Sequence, residues 1–335
     1  MISAKDVTRV AVVAAMVLLA AGAAQAVVID TVPVGDPGNA ADWTGYGAVA
    51  YTYNIGKYEV TAGQYTEFLN KVGGVDTYSL YNTGMSNTSY GSGIARSGGG
   101  TVANPYTYSV ATDFANRPVN WVSFWDSCRF ANWLHNGQST GAQGAGTTER
   151  GAYTLDGYNG EDGRTIQRSA DAKWAVTSED EWYKAAYYKG GGTNAGYWDY
   201  PTSSDTAPGQ DMADASGNNA NYHTAPNAWP IDSGKYYTTV AGEFQNSASP
   251  YGTFDQGGNI WEWNEGIVSG SDPGKRGGVF YGIDGLLHAA TRRNYNPTDE
   301  SVGSGFRVSE VPEPATMALL ALGGLALVAR RRGRQ

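Results

Sequence analysis

Three segments place apolar residues at helical spacing behind a polar cap. Thr61 precedes Tyr65, Phe68 and Leu69, with Gln64 three residues after it. This capping-box pattern predicts a helix running to near Gly73. Ser123 and Asp126 open a second helix, on which Phe124, Cys128 and Ala131 share one face. Ser178 and Glu181 open a third, whose buried face is Trp182, Ala185 and Ala186. Alternation of Tyr51, Tyr53 and Ile55, then Tyr58 and Val60, reads as strand, Arg117–Val122 reads as extended, and Trp174–Thr177 leads into the third helix. Stretches 82–104 and 137–146 are rich in glycine and small polar residues and read as loops, and 190–310 reads as loops and short strands. Three short helices among hairpins predict an α+β domain, not an alternating parallel α/β fold.

Two stretches are apolar without periodicity. Val10–Ala24 follows Lys5 and Arg9 and ends at Ala24-Gln25-Ala26. That order predicts a secretory signal cleaved before Val27. Ala315–Ala329 lies between Val311-Pro312-Glu313-Pro314 and the run Arg330-Arg331-Arg332-Gly333-Arg334. As a helix it would be about 22 Å long, short of a usual hydrocarbon core, with the arginines on the cytoplasmic side. The expected organisation is a signal at 1–26, an N-terminal segment at 27–50, a folded domain at 51–310 and a tail at 311–335.

Composition narrows the chemistry. A net charge of −9 argues against nucleic acid and anionic membrane surfaces. Cys128 is the only cysteine, so an intramolecular disulfide or a cysteine metal cluster is excluded. Its place on an apolar stripe predicts a buried structural thiol. His135, His223 and His288 are far apart and show no zinc spacing. Glu179, Asp180 and Glu181 read as helix-dipole and capping residues.

The tail resembles the PEP-CTERM sorting signal of Gram-negative bacteria: Pro312-Glu313-Pro314, the apolar run and the arginine cluster occur in its order. The resemblance implies an exosortase as sorting partner, a membrane-held intermediate, and delivery to the cell surface or extracellular matrix.

Residues 51–308 resemble the formylglycine-generating enzyme, or sulfatase-modifying factor, domain. The resemblance rests on Ile55-Gly56-Lys57-Tyr58-Glu59-Val60-Thr61, Arg117–Ser123, Thr177–Ala186, Gly257-Gly258-Asn259-Ile260-Trp261-Glu262-Trp263, Arg276-Gly277-Gly278, Arg292, Pro297 and Gly305-Phe306-Arg307. It implies a loop-rich variant of the C-type lectin fold. The family's enzymes hold copper with two cysteines between the Arg-Gly-Gly and Gly-Phe-Arg elements. Here Val279–Ser304 contains no cysteine, and Gly282 and Leu287 fall near those positions. Copper(I) needs soft thiolates, so neither copper nor formylglycine generation is expected.

The resemblance also implies two calcium positions. One falls on Asp255, Gly258, Ile260 and Glu262, the other on Asn221, Tyr222, Asp232 and Gly234. The segment replacing the active site offers Tyr281, Asp284, His288 and Arg292 as a ligand cleft, although arginines such as Arg292 and Arg307 more often tie loops to carboxylates. The leading expectation is a non-catalytic surface protein binding glycan, matrix polymer or protein. The alternatives are an enzyme of altered chemistry using Asp284, His288 and Arg292, and a matrix component without a specific ligand.

Overall fold

The three caps close as their spacing requires in a computed structural model of the protein, which describes residues 26–223 and 231–311. Residues 1–25 of the expected signal at 1–26, and the expected tail from Pro312 with Glu313 and Pro314, lie outside the described residues. Helix α1 spans Ala62–Val72, α2 spans Phe124–His135 and α3 spans Glu179–Tyr187. Thr61, Ser123 and Ser178 each form a reciprocal capping box, with Gln64, Asp126 and Glu181 respectively. Such a box satisfies two otherwise orphaned backbone donors.

Helix α2 is buried all round, not on one stripe, from Phe124 to Leu134. Its polar positions find partners inside. Arg129 forms a bidentate pair with Glu149 (2.7 and 3.1 Å), and Asn132 donates to the carbonyls of Thr148 and Tyr153. Cys128 is fully buried in the main apolar cluster with Phe68, Phe130 and Trp133.

Two four-stranded sheets and a hairpin complete the domain. The first sheet runs β1 (Thr31–Val34), β2 (Tyr53–Gly56), β10 (Val308–Glu310), β5 (Trp174–Val176), with every neighbour antiparallel. Residues 31–34, which the sequence reading set ahead of the domain, thus form the edge strand of its sheet. The hairpin joins β3 (Ile94–Ser97) to β4 (Thr107–Val110). The second sheet runs β8 (Arg293–Asn294), β7 (Asp272–Arg276), β6 (Trp261–Ser269), β9 (Ser304–Phe306), and β9 lies parallel to β6. It carries the Trp-Glu-Trp and Gly-Phe-Arg elements side by side. No helix among the described residues is long and apolar enough to cross a membrane.

Candidate functional site

Strand β6 points Glu262 into the interior, where it is fully buried. Arg307, one residue beyond β9, meets it in a fork: Nε donates to Oε2 at 2.7 Å and Nη2 to Oε1 at 2.8 Å. Trp182 Nε1 donates to Oε2 at 2.7 Å. Nη1 also donates to the Gly56 carbonyl and Nη2 to that of Phe254. Glu262 is thus held by three donors, so it cannot also offer a metal an uncommitted carboxylate. Arg307 is a loop tie.

Two other carboxylates share this interior. Asp255 accepts from the Gly242 amide at 2.6 Å, and burial pushes its carboxyl up to about 6. Glu59 is 1% exposed, and neither of its carboxylate oxygens has a hydrogen-bond partner. Burial, and then the nearby Asp255, push its carboxyl well above the usual range. A buried carboxylate without a partner is costly. Gly258 (φ 84°) lies where a side chain would meet the Asn221 carbonyl at 2.1 Å, and Ile260 is buried in the core. With Arg307 balancing Glu262, Glu59 and Asp255 are the charges left over, and that donor set suits a hard divalent cation. Among the described residues no group of three or more His, Cys, Asp or Glu is placed to hold a metal, so carbonyls and water would have to complete any such shell.

The second inferred position is arranged differently. Asp232 accepts from Arg117 Nη2 at 2.5 Å and from the Ser233 hydroxyl at 2.9 Å. Asn221 donates to the Tyr237 carbonyl and to Asn259 Oδ1, while its own Oδ1 is buried without a partner. The Tyr222 hydroxyl donates to the Pro208 carbonyl, and Gly234 turns at φ 64°. The Arg117 guanidinium already neutralises Asp232.

The cleft residues do not form one constellation. Arg292 donates to Glu179 and to the Tyr46 hydroxyl, and Glu179 also takes Arg276 Nε at 2.7 Å. Arg292 is therefore structural, and the acidic first turn of α3 acts as a cross-tie as well as a cap. Asp284 accepts from the neighbouring Gly285 amide, and His288 faces Asp199 at 3.8 Å and the Tyr200 ring at 5.3 Å. Asp284, His288 and Arg292 have no hydrogen bond in common. Near the family's thiol positions, Gly282 is buried and Leu287 packs with Ala220 and Tyr222.

Tyr281 belongs to an aromatic run. Its ring meets Phe280 at 4.9 Å, Phe280 meets Tyr237 at 5.8 Å, and Tyr237 meets Tyr90 at 6.3 Å. The two ends of the run are exposed, Tyr90 and Tyr281 each at 43%, with Ile283 at 60% near the Tyr281 end. Sequence reasoning missed three polar residues in this region. Lys275 is buried on β7, its Nζ 3.0 Å from Asp299 Oδ2 and 2.5 Å from Ser304 Oγ, and Ser304 Oγ is 2.6 Å from Ser301 Oγ. The one signal available was a lysine inside a strand that the second sheet buries.

The sulfatase-modifying factor enzyme 1-like domain family matches residues 4–311, and the PEP-CTERM protein-sorting motif matches 310–332. No curated protein matches the sequence. Among solved structures, the chain resembles one titled CarF at 22% identity and TM-score 0.53, covering 85% of this chain and 99% of that one. It also resembles Treponema denticola variable protein 1 at 17% identity and TM-score 0.50, covering 84% and 95%. PvdO from Pseudomonas aeruginosa aligns at 16% identity and TM-score 0.41, covering 84% and 92%. The family match and the likeness to the CarF structure agree with the α+β, loop-rich fold expected from the sequence. This chain belongs to the sulfatase-modifying factor enzyme 1-like domain family and carries a PEP-CTERM sorting motif.

Proposed function

We propose that the protein is sorted to the cell surface or matrix and there binds an extracellular polymer, most simply an exopolysaccharide, through the aromatic face ending at Tyr281. The observation carrying this reading is that the segment between Arg-Gly-Gly and Gly-Phe-Arg has no thiol and instead exposes Tyr281, Ile283 and Tyr295. Aromatic rings offer large apolar area with a polar edge, which suits sugar faces. The sorting motif implies handling by an exosortase.

Calcium is the proposed stabilising ion of this domain. It would sit between Glu59 and Asp255 at the first inferred position, supplying the positive charge that the buried pair lacks.

Co-sedimentation of the exported chain, residues 27–311, with the producing cell's exopolysaccharide tests the binding reading. Tyr281→Ala should weaken retention about tenfold, roughly 1.4 kcal/mol, with an unchanged melting temperature. Absence of binding by the unmodified chain, with and without calcium, would sink it.

A further inference from the structure

Strand β7 carries Lys275 between two rings, its Nζ 3.6 Å from the Trp263 centroid and 4.2 Å from that of Tyr295. Only 1% of the side chain is exposed. From this amine a line of hydroxyls leads outward: Nζ to Ser304 Oγ at 2.5 Å, then Ser304 Oγ to Ser301 Oγ at 2.6 Å. Ser304 is buried and Ser301 is half-buried, so the line runs from the core toward solvent. Its outer end is fixed, because the Ser301 carbonyl accepts from the amides of Trp121 (3.0 Å) and Ser304 (3.1 Å). The Tyr281 hydroxyl packs on Gly303, where an added Cβ would meet it at 2.5 Å. The relay therefore reaches the surface beside the exposed aromatic face.

We propose that Ser301 is the nucleophile of a serine esterase site, with Ser304 and Lys275 as its proton relay, acting on acyl esters carried by a polymer bound at the Tyr281 face. The choice of a polymer-borne ester rests on the binding reading above; the reactivity of Ser301 does not. A line of hydroxyls ending on a desolvated amine can activate a serine that is weak alone. Ser301 Oγ attacks the acyl carbon while its proton passes to Ser304 Oγ and the Ser304 proton passes to neutral Lys275 Nζ. The ester C–O bond breaks, and the leaving alkoxide takes its proton from the Ser304 hydroxyl, which the Lys275 ammonium reprotonates. Water then hydrolyses the acyl-serine, releasing the carboxylic acid and restoring Ser301. Desolvation brings the Lys275 ammonium down to about 8 against the opposing pull of Asp299, the carboxylate facing it. The neutral amine is thus populated near neutral pH.

The test is labelling of the folded 27–311 chain with a fluorophosphonate probe, read by intact mass and peptide mapping. One adduct at Ser301 is expected, forming about tenfold faster at pH 9 than at pH 7 as Lys275 loses its proton. Lys275→Arg and Ser304→Ala should each slow labelling at least tenfold and flatten the pH profile, and circular dichroism identifies variants that remain folded. No adduct on the folded chain across pH 7–9, or an adduct that survives Ser301→Ala, would overturn the proposal whether or not the polymer binds.

Discussion

Replacing Glu59 with glutamine probes the most unbalanced place in the interior. Two carboxylates lie there, Asp255 with one backbone donor and Glu59 with no hydrogen-bond partner. Moving Asp255 from its ordinary 3.8 to about 6 corresponds to roughly 3 kcal/mol. The sign follows from the direction of the shift. A carboxyl raised in the folded state contributes its stability below about pH 4 and loses it as pH rises through about 6. Glu59 is raised as well and acts in the same sense. The calcium-free protein should therefore melt lower at pH 8 than at pH 5. About half of that term is already lost at pH 5, so between pH 5 and pH 8 Asp255 alone accounts for about 1.4 kcal/mol, on the order of 3–6 °C at about 2–4 °C per kcal/mol. Calcium at a hundredfold over its dissociation constant would restore about 2.7 kcal/mol at pH 8 and have little effect at pH 5. Glu59→Gln removes a carboxyl whose ionisation burial opposes, so it should lessen the fall in calcium-free melting temperature between pH 5 and pH 8 and abolish the calcium shift. Differential scanning calorimetry at both pH values, with chelator and with calcium, measures all four states. A wild-type protein unmoved by calcium at pH 8, or a variant retaining the full shift, would refute the reasoning.

Two further outcomes follow from the interior. Arg307→Ala leaves the Glu262 carboxylate buried with only Trp182 as a donor, and should cost about 3–5 kcal/mol in urea unfolding; a loss below about 1 kcal/mol would show that the fork is dispensable. Burial pushes the Cys128 thiol well above its usual range, so Ellman's reagent at pH 8 should leave the native protein untouched and react fully in denaturant, and rapid native labelling would place the thiol at the surface.

Local rules were legible in the sequence because their partners are close. Each capping box links residues only three apart, and all three helices begin where Thr61, Ser123 and Ser178 indicated. The buried state of Cys128 was legible from the spacing of α2, but burial of the opposite face was not. That face depends on Glu149 meeting Arg129 from 20 residues away. Longer separations decided the rest. Glu262 was read as a calcium ligand, and only the return of Arg307, 45 residues later, shows that its carboxylate is taken. Glu59 stood in a recognised motif, yet the lack of any partner on its carboxylate shows only in the packed structure. Lys275, Ser301 and Ser304 come from three separate segments that the second sheet and its adjoining loop bring together.

Strand β10 ends at Glu310, and the sorting motif begins at that same residue. By sequence, the apolar run of the tail starts at Ala315. Only the four residues 311–314 separate the folded sheet from that apolar run, a leash with a contour length of at most about 14 Å. On the proposed sorting reading, an uncut tail would hold the domain close to the bilayer, with little freedom to reorient and no reach into a polymer layer. Severing the leash would change the domain's working radius without altering any contact within it, so release from the membrane would act as the moment at which its binding surface becomes available.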